Sequence, residues 1–68
     1  PYRDIVTVPE ECELAVRSKN GVRYLFVLNY KKHPVEITLH RKGTDLYTGN
    51  EIEGSQTLDG YGTMVIRL

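Results

Sequence analysis

Val22-Arg23-Tyr24-Leu25-Phe26-Val27-Leu28-Asn29, entered from Asn20-Gly21, is the stretch that decides how this chain folds. Successive side chains of a strand point to opposite faces, so Val22, Tyr24, Phe26 and Leu28 form one row while Leu25 and Val27 lie in the other. An apolar row on each face marks a strand in the middle of a small all-β body, with Tyr24 and Phe26 expected in its core. Asn-Gly ahead of it is a strong hairpin signal, because both residues accept the positive φ that a two-residue turn requires.

The flanking segments keep the same period of two. Cys12, Leu14 and Val16 alternate with Glu13, Ala15 and Arg17, the pattern of a half-buried strand over residues 12–18, and they suggest a buried, apolar Cys12 thiol. After the polar loop Tyr30-Lys31-Lys32-His33-Pro34, Val35, Ile37 and Leu39 alternate with Glu36, Thr38 and His40, so one face is dry and the other wet. A short strand over Asp45-Leu46-Tyr47 is expected to run into Thr48-Gly49-Asn50. A break at Gly54 precedes Gln56-Thr57-Leu58 and a turn at Asp59-Gly60. The last strand, residues 63–68, places Met64, Ile66 and Leu68 on one side and Val65 on the other. With no helical period anywhere, the expectation is a small antiparallel β-sandwich of about six to seven short strands occupying residues 10–68. Residues 1–9 read as a linker or lead-in strand from a preceding domain, extended over 2–8 and closed by Pro9, which has no N–H to give a ladder. The start at Pro1, with Met64 as the only methionine, reads as a domain taken from something longer.

Composition narrows the function. A chain of 68 residues supports one domain, and a body this small removes only about 60% of its unfolded surface from water, leaving little room for a catalytic cleft. Nine lysines and arginines balance nine aspartates and glutamates, so no net field draws the chain to nucleic acid or an anionic membrane surface. No apolar run approaches the roughly 20 residues of a transmembrane helix. A single cysteine excludes an internal disulfide.

The residue types that carry chemistry are present without the spacing that chemistry needs. Glu10, Glu11 and Glu13, or Glu51 and Glu53, are nominal acid/base pairs, but glycoside hydrolysis needs two carboxyls converging in a pocket, one of them with a raised pKa. These five read as solvated surface. His33 precedes a proline and His40 points outward beside Arg41 and Lys42; neither has a second ligand at metal spacing, so no metal and no cofactor is expected. Gly60-Tyr61-Gly62 lacks the strand-to-helix context of a phosphate loop. Tryptophan is absent. Tyr2, Tyr30, Tyr47 and Tyr61 fall near strand ends, where a phenol buries its ring and keeps its hydroxyl wet. Of these, Tyr30 and Tyr47 are the candidate platform for a sugar ring.

Several segments, in order, resemble a known family: Pro9-Glu10-Glu11 into Glu13-Leu14-Ala15-Val16-Arg17, then Arg23-Tyr24-Leu25-Phe26-Val27-Leu28-Asn29-Tyr30, then Pro34-Val35-Glu36-Ile37-Thr38-Leu39, Asp45-Leu46-Tyr47-Thr48-Gly49, and Tyr61-Gly62 before an apolar last strand. The likeness covers about residues 8–68 and is to the C-terminal domain of bacterial β-galactosidases of glycoside hydrolase family 42. Asp59-Gly60 departs from it, standing where a proline-rich approach to the Tyr-Gly pair is common.

The resemblance implies a cytoplasmic, three-domain parent: a (β/α)8 barrel with two catalytic glutamates, a middle domain involved in trimer assembly, and this small β-domain at the end. It implies a retaining enzyme that removes terminal β-D-galactosyl residues, with no catalytic residue on this chain and the preceding domains as its partners. Alone, the domain is expected to be a monomer. The Asp45-Leu46-Tyr47-Thr48-Gly49 and Tyr61-Gly62 segments also resemble C-terminal β-domains of other glycoside hydrolases, the alternative parent, and two roles are then open. A structural module would expose an apolar face for the parent to cover, expected at Leu25, Val27 and Val65. An autonomous sugar-binding module would instead expose Tyr30 and Tyr47 beside hydrogen-bonding groups.

Overall fold

A computed structural model describes residues 4–68; the extended reading of Tyr2 and Arg3 lies outside the described residues. Within them there are six strands and no helix: β1 (Val6–Thr7), β2 (Cys12–Lys19), β3 (Val22–Asn29), β4 (Val35–Asp45), β5 (Glu51–Leu58) and β6 (Thr63–Arg67). All pairings are antiparallel and join into one sheet of order β1-β4-β6-β3-β2, with β5 on β4. The β2–β3 hairpin forms on Asn20-Gly21, whose φ values of 53° and 79° are those of the two-residue turn that the Asn-Gly pair favours.

The sandwich is made by folding this one sheet about β4. Over its first half β4 is flanked by β5 on one edge and β1 on the other, since Thr38 pairs with both Ser55 and Thr7. Past a bulge between Leu39 and Gly43, β5 continues on its edge, but the other edge passes to β6, where Thr44 meets Arg67 and Asp45 meets Ile66. The crossing is tight. A Cβ on Gly43 would lie 2.6 Å from Cγ2 of the fully buried Ile66 and 3.2 Å from the Arg67 carbonyl oxygen, so only glycine fits where β4 passes β6. The molecule measures 34 × 25 × 19 Å, and the short dimension is that of two layers packed about 10 Å apart.

The core between the layers is Leu25 and Val27 of β3, Val35, Ile37 and Leu39 of β4, Leu58 of β5, Met64 and Ile66 of β6, and Ile5 and Val6 at the start. Cys12, Leu14, Val16, Ile52 and Leu68 are partly buried against it. The Cys12 thiol is thus half-buried, and burial, with a lesser contribution from the Glu11 charge, pushes it above its ordinary pKa.

Five expectations change. Tyr24 and Phe26 are not in the core: the row buried by the fold is Leu25, Val27 and Asn29, and the aromatic row lies half-buried on the outer surface of the sheet. Accordingly, Leu25 and Val27 are 0% exposed and form no exposed face. Asp45-Leu46-Tyr47 is not a strand of its own; β4 runs on through the charged Arg41-Lys42 stretch to Asp45 and then turns. Gly54 does not break the chain, because its φ of 85°, opposite Leu39, lets β5 continue beside the bulge from Glu51 to Leu58. At the start, Asp4 and Ile5 form a turn, and only Val6–Thr7 is strand.

Candidate functional site

The two outer surfaces of the folded sheet differ in chemistry. Residues directly opposite across a ladder share a face. On β4 and β5 the outer pairs are Glu36 with Thr57 and Thr38 with Ser55, and His40 lies beyond them with Thr7 Oγ1 and His40 Nε2 2.6 Å apart. That face is polar throughout. On the other layer Ala15 is opposite Phe26, Phe26 opposite Val65, and the Leu46 N–H donates to the Val65 carbonyl at 3.0 Å, which extends the register by one residue. Ala15, Phe26, Val65 and Leu46 therefore make an apolar stripe across three strands and the first residue of the turn after β4, crossed along β3 by Tyr24 and Leu28. Arg17 and Arg67 flank Tyr24 at one end of this face, and Glu13 and Thr63 flank Leu28 at the other.

Beyond Leu28 the same row reaches Tyr30, which is 58% exposed. Its phenol is held above the ordinary value by local desolvation first, then by the Glu13 carboxylate, acting as a charge and as hydrogen-bond acceptor. Tyr47, 65% exposed, sits in the turn between β4 and β5. That turn is tied by Asp45: Oδ1 accepts from the Tyr47 N–H at 2.9 Å and its carbonyl from the Gly49 N–H at 2.7 Å. Tyr30 and Tyr47 thus stand on different turns. The loop that meets Tyr30's own is that of Tyr61, 70% exposed, whose N–H donates to the Lys31 carbonyl at 2.8 Å. Tyr61 has a φ of 55°, a left-handed backbone uncommon for a bulky residue.

These loops share an organiser that the sequence reading passed over. Asn29 is 2% exposed, and its Nδ2 donates to the carbonyls of His33 and Asp59, both at 3.0 Å, while its Oδ1 accepts from the Lys31 N–H at 2.9 Å. The signal was its parity: Asn29 falls in the row of Leu25 and Val27, and an amide at the end of a buried row must find partners for its donors and acceptor.

The groups considered for catalysis do not converge. Glu10, Glu11, Glu13, Glu51 and Glu53 are all exposed, and Glu51 faces Lys42 at 3.9 Å with both side chains about 70% exposed. An open depression of about 200 Å³ is lined by Gly21, Arg23, Arg41 and Leu68, with no carboxylate or nucleophilic side chain in its lining. His33 and His40 are exposed, and among the described residues no group of three or more His, Cys, Asp or Glu side chains is placed to hold a metal ion. Among the described residues none of these five carboxylates is buried in a pocket, and what the arrangement offers is surface for contact.

Comparison with known proteins gives this geometry its setting. The family model described as the β-galactosidase C-terminal domain matches residues 12–68. A β-galactosidase from Bacillus circulans sp. alkalophilus is similar over 93% of this chain at 33% identity and a TM-score of 0.85, although that stretch is only 10% of the enzyme. A catalytic mutant of a family 42 β-galactosidase from G. stearothermophilus is similar over 91% of this chain, and 9% of its own length, at 29% identity and a TM-score of 0.84. None of the curated proteins matches the chain. An all-strand body matched by the family model over residues 12–68, and aligned over nine-tenths of its length with one-tenth of these enzymes, belongs to the β-galactosidase C-terminal domain family.

Proposed function

We propose that this chain is a non-catalytic accessory domain of a larger retaining β-galactosidase and that it stabilises the enzyme while other domains carry the chemistry. The observation that carries this reading is the proportion of the likeness: more than nine-tenths of this chain corresponds to about one-tenth of the enzymes. The five scattered, exposed carboxylates support it, because retaining hydrolysis needs two carboxyl groups about 5–5.5 Å apart across the scissile bond, one of them protonated near neutral pH. In the parent, one glutamate of the barrel would act as acid/base and the other as nucleophile on a terminal β-D-galactosyl residue. The parent would act as a trimer in the cytoplasm, and the isolated domain would be a monomer.

The test is hydrolysis of an aryl β-galactoside by this chain alone and by the full-length polypeptide that contains it. The chain should read as the blank and the full-length protein should turn over. Turnover by the chain alone that survives repurification and disappears on changing one of its glutamates would overturn the proposal. A sugar-binding role for Tyr30 and Tyr47 is favoured by one observation, the exposure of both rings. Titration with galactose, lactose and a galactan, followed by amide shifts, would establish that role through a saturable response around those two residues.

A further inference from the structure

The apolar outer face of β2, β3 and β6 has no counterpart on the polar β4–β5 face, and this asymmetry needs a physical reason. Were both outer faces bathed in water, both would be expected to alternate to polar residues, as Glu36, Thr38, Ser55 and Thr57 do. Instead Ala15, Phe26, Val65 and Leu46 run across three strands and onto the turn after β4, with Tyr24 and Leu28 beside Phe26. Leu46, at the edge of the stripe, is 43% exposed. From this placement, and resting on the accessory-domain reading above, we infer that the outer face of β2–β3–β6 is the surface on which another domain of the same longer polypeptide docks.

Size and charge select that occupant. With strands about 4.8 Å apart and a rise of about 3.4 Å per residue, the apolar stripe covers on the order of 200 Å², and the face with its rim of Arg17, Arg67, Glu13 and Thr63 on the order of 300 Å². A freely diffusing second copy needs roughly 800 Å² per partner for a stable interface. A tethered neighbour needs less, because the linker holds it at an effective concentration on the order of millimolar, and interdomain interfaces within a chain start at about 600 Å² in total, or about 300 Å² a side. The enzymes to which this chain is similar supply such a neighbour, since about nine-tenths of their length lies outside the aligned part. The rim fixes the partner's chemistry. Arg17 and Arg67 stand either side of Tyr24, and among the described residues neither has a carboxylate within 4 Å. The docked surface is therefore apolar at its centre, with a carboxylate directed at the Arg17–Arg67 end and no second negative charge opposite Glu13.

The experiment uses the full-length polypeptide with Cys12→Ser as background. Leu46→Cys reports the apolar face and Thr57→Cys the polar one, since both positions are exposed in the domain itself. Maleimide labelling is followed at each site by peptide mass, alongside β-galactoside turnover and sedimentation over a range of concentrations. The inference predicts that Leu46→Cys labels at least tenfold more slowly than Thr57→Cys, at every concentration. A smaller difference overturns it, and so does protection that vanishes as an oligomer dissociates on dilution, which would assign the face to a second copy. Full-length protein that hydrolyses the galactoside yet labels equally at both sites would sink the docking inference alone. Absence of hydrolysis would sink the accessory-domain reading instead.

Discussion

Asn29→Ala is the substitution with the largest reach for its size. The amide makes three hydrogen bonds, at 3.0, 3.0 and 2.9 Å, that tie the loop after β3 to the turn before β6, and it is 2% exposed. At about 0.5–1.5 kcal/mol net per bond the loss is about 1.5–4.5 kcal/mol. The Asp59 carbonyl keeps the Gly62 N–H at 2.8 Å, which moderates the cost; the His33 carbonyl and the Lys31 N–H lose their side-chain partner outright. A central figure of about 3 kcal/mol stands against a total of about 3–10 kcal/mol for a domain of 68 residues. At about 4–8 °C per kcal/mol, the thermal midpoint should fall by roughly 12–24 °C. Thermal and urea unfolding, read by circular dichroism, measure this. Asn29→Leu should not restore the loss, because it fills the space without supplying donors. A midpoint within about 3 °C of the unaltered chain, in either variant, would refute the claim that this amide organises the loops.

Ile37→Ala, at a position with 0% exposure, should cost about 2–5 kcal/mol by urea titration, and an unchanged midpoint would remove Ile37 from the core. Gly43→Ala should cost about 1–3 kcal/mol because the new Cβ meets Ile66 at 2.6 Å, and neutral behaviour would show that the β4–β6 crossing is looser than described. Alkaline pH should weaken the fold. The Cys12 thiol and Tyr30 phenol both have raised folded values, so the stability they contribute is complete below their ordinary values of 9.0 and 10.0 and is lost as pH rises through the folded ones. Cys12→Ala should make the fall of the midpoint above pH 9 shallower, and an identical fall would dismiss the thiol as a contributor.

The hairpin and its two strands were legible because Asn20-Gly21 and the alternation on either side agree. Which row of β3 faces inward was misread, since aromatic bulk at Tyr24 and Phe26 suggested core. The register held the answer: a two-residue turn sets Lys19 opposite Val22, hence Arg17 opposite Tyr24 and Glu13 opposite Leu28, so the aromatic row shares its face with charges. The length of β4 was not legible, because the bulge at residues 40–42 replaces alternation with His40-Arg41-Lys42. Gly54 looked like a break for the same reason, since a glycine inside a strand and one between strands leave the same mark. For the site, the places of Tyr30, Tyr47 and Tyr61 near strand ends suggested buried rings with wet hydroxyls, and the turns instead leave all three largely exposed; the apolar stripe depends on β6 lying beside β3, a pairing between residues about 40 apart that no local pattern encodes.

The most direct test of the account is removal of residues 10–68 from the full-length polypeptide, with thermal midpoint, assembly state and steady-state kinetics on a small β-galactoside measured before and after. The account predicts a lowered midpoint or disturbed assembly, with KM and kcat per folded molecule nearly unchanged, because the domain contributes contact surface and the reacting groups lie elsewhere. An unaltered midpoint and assembly together with loss of turnover would contradict it, since the chain would then supply chemistry and no stability.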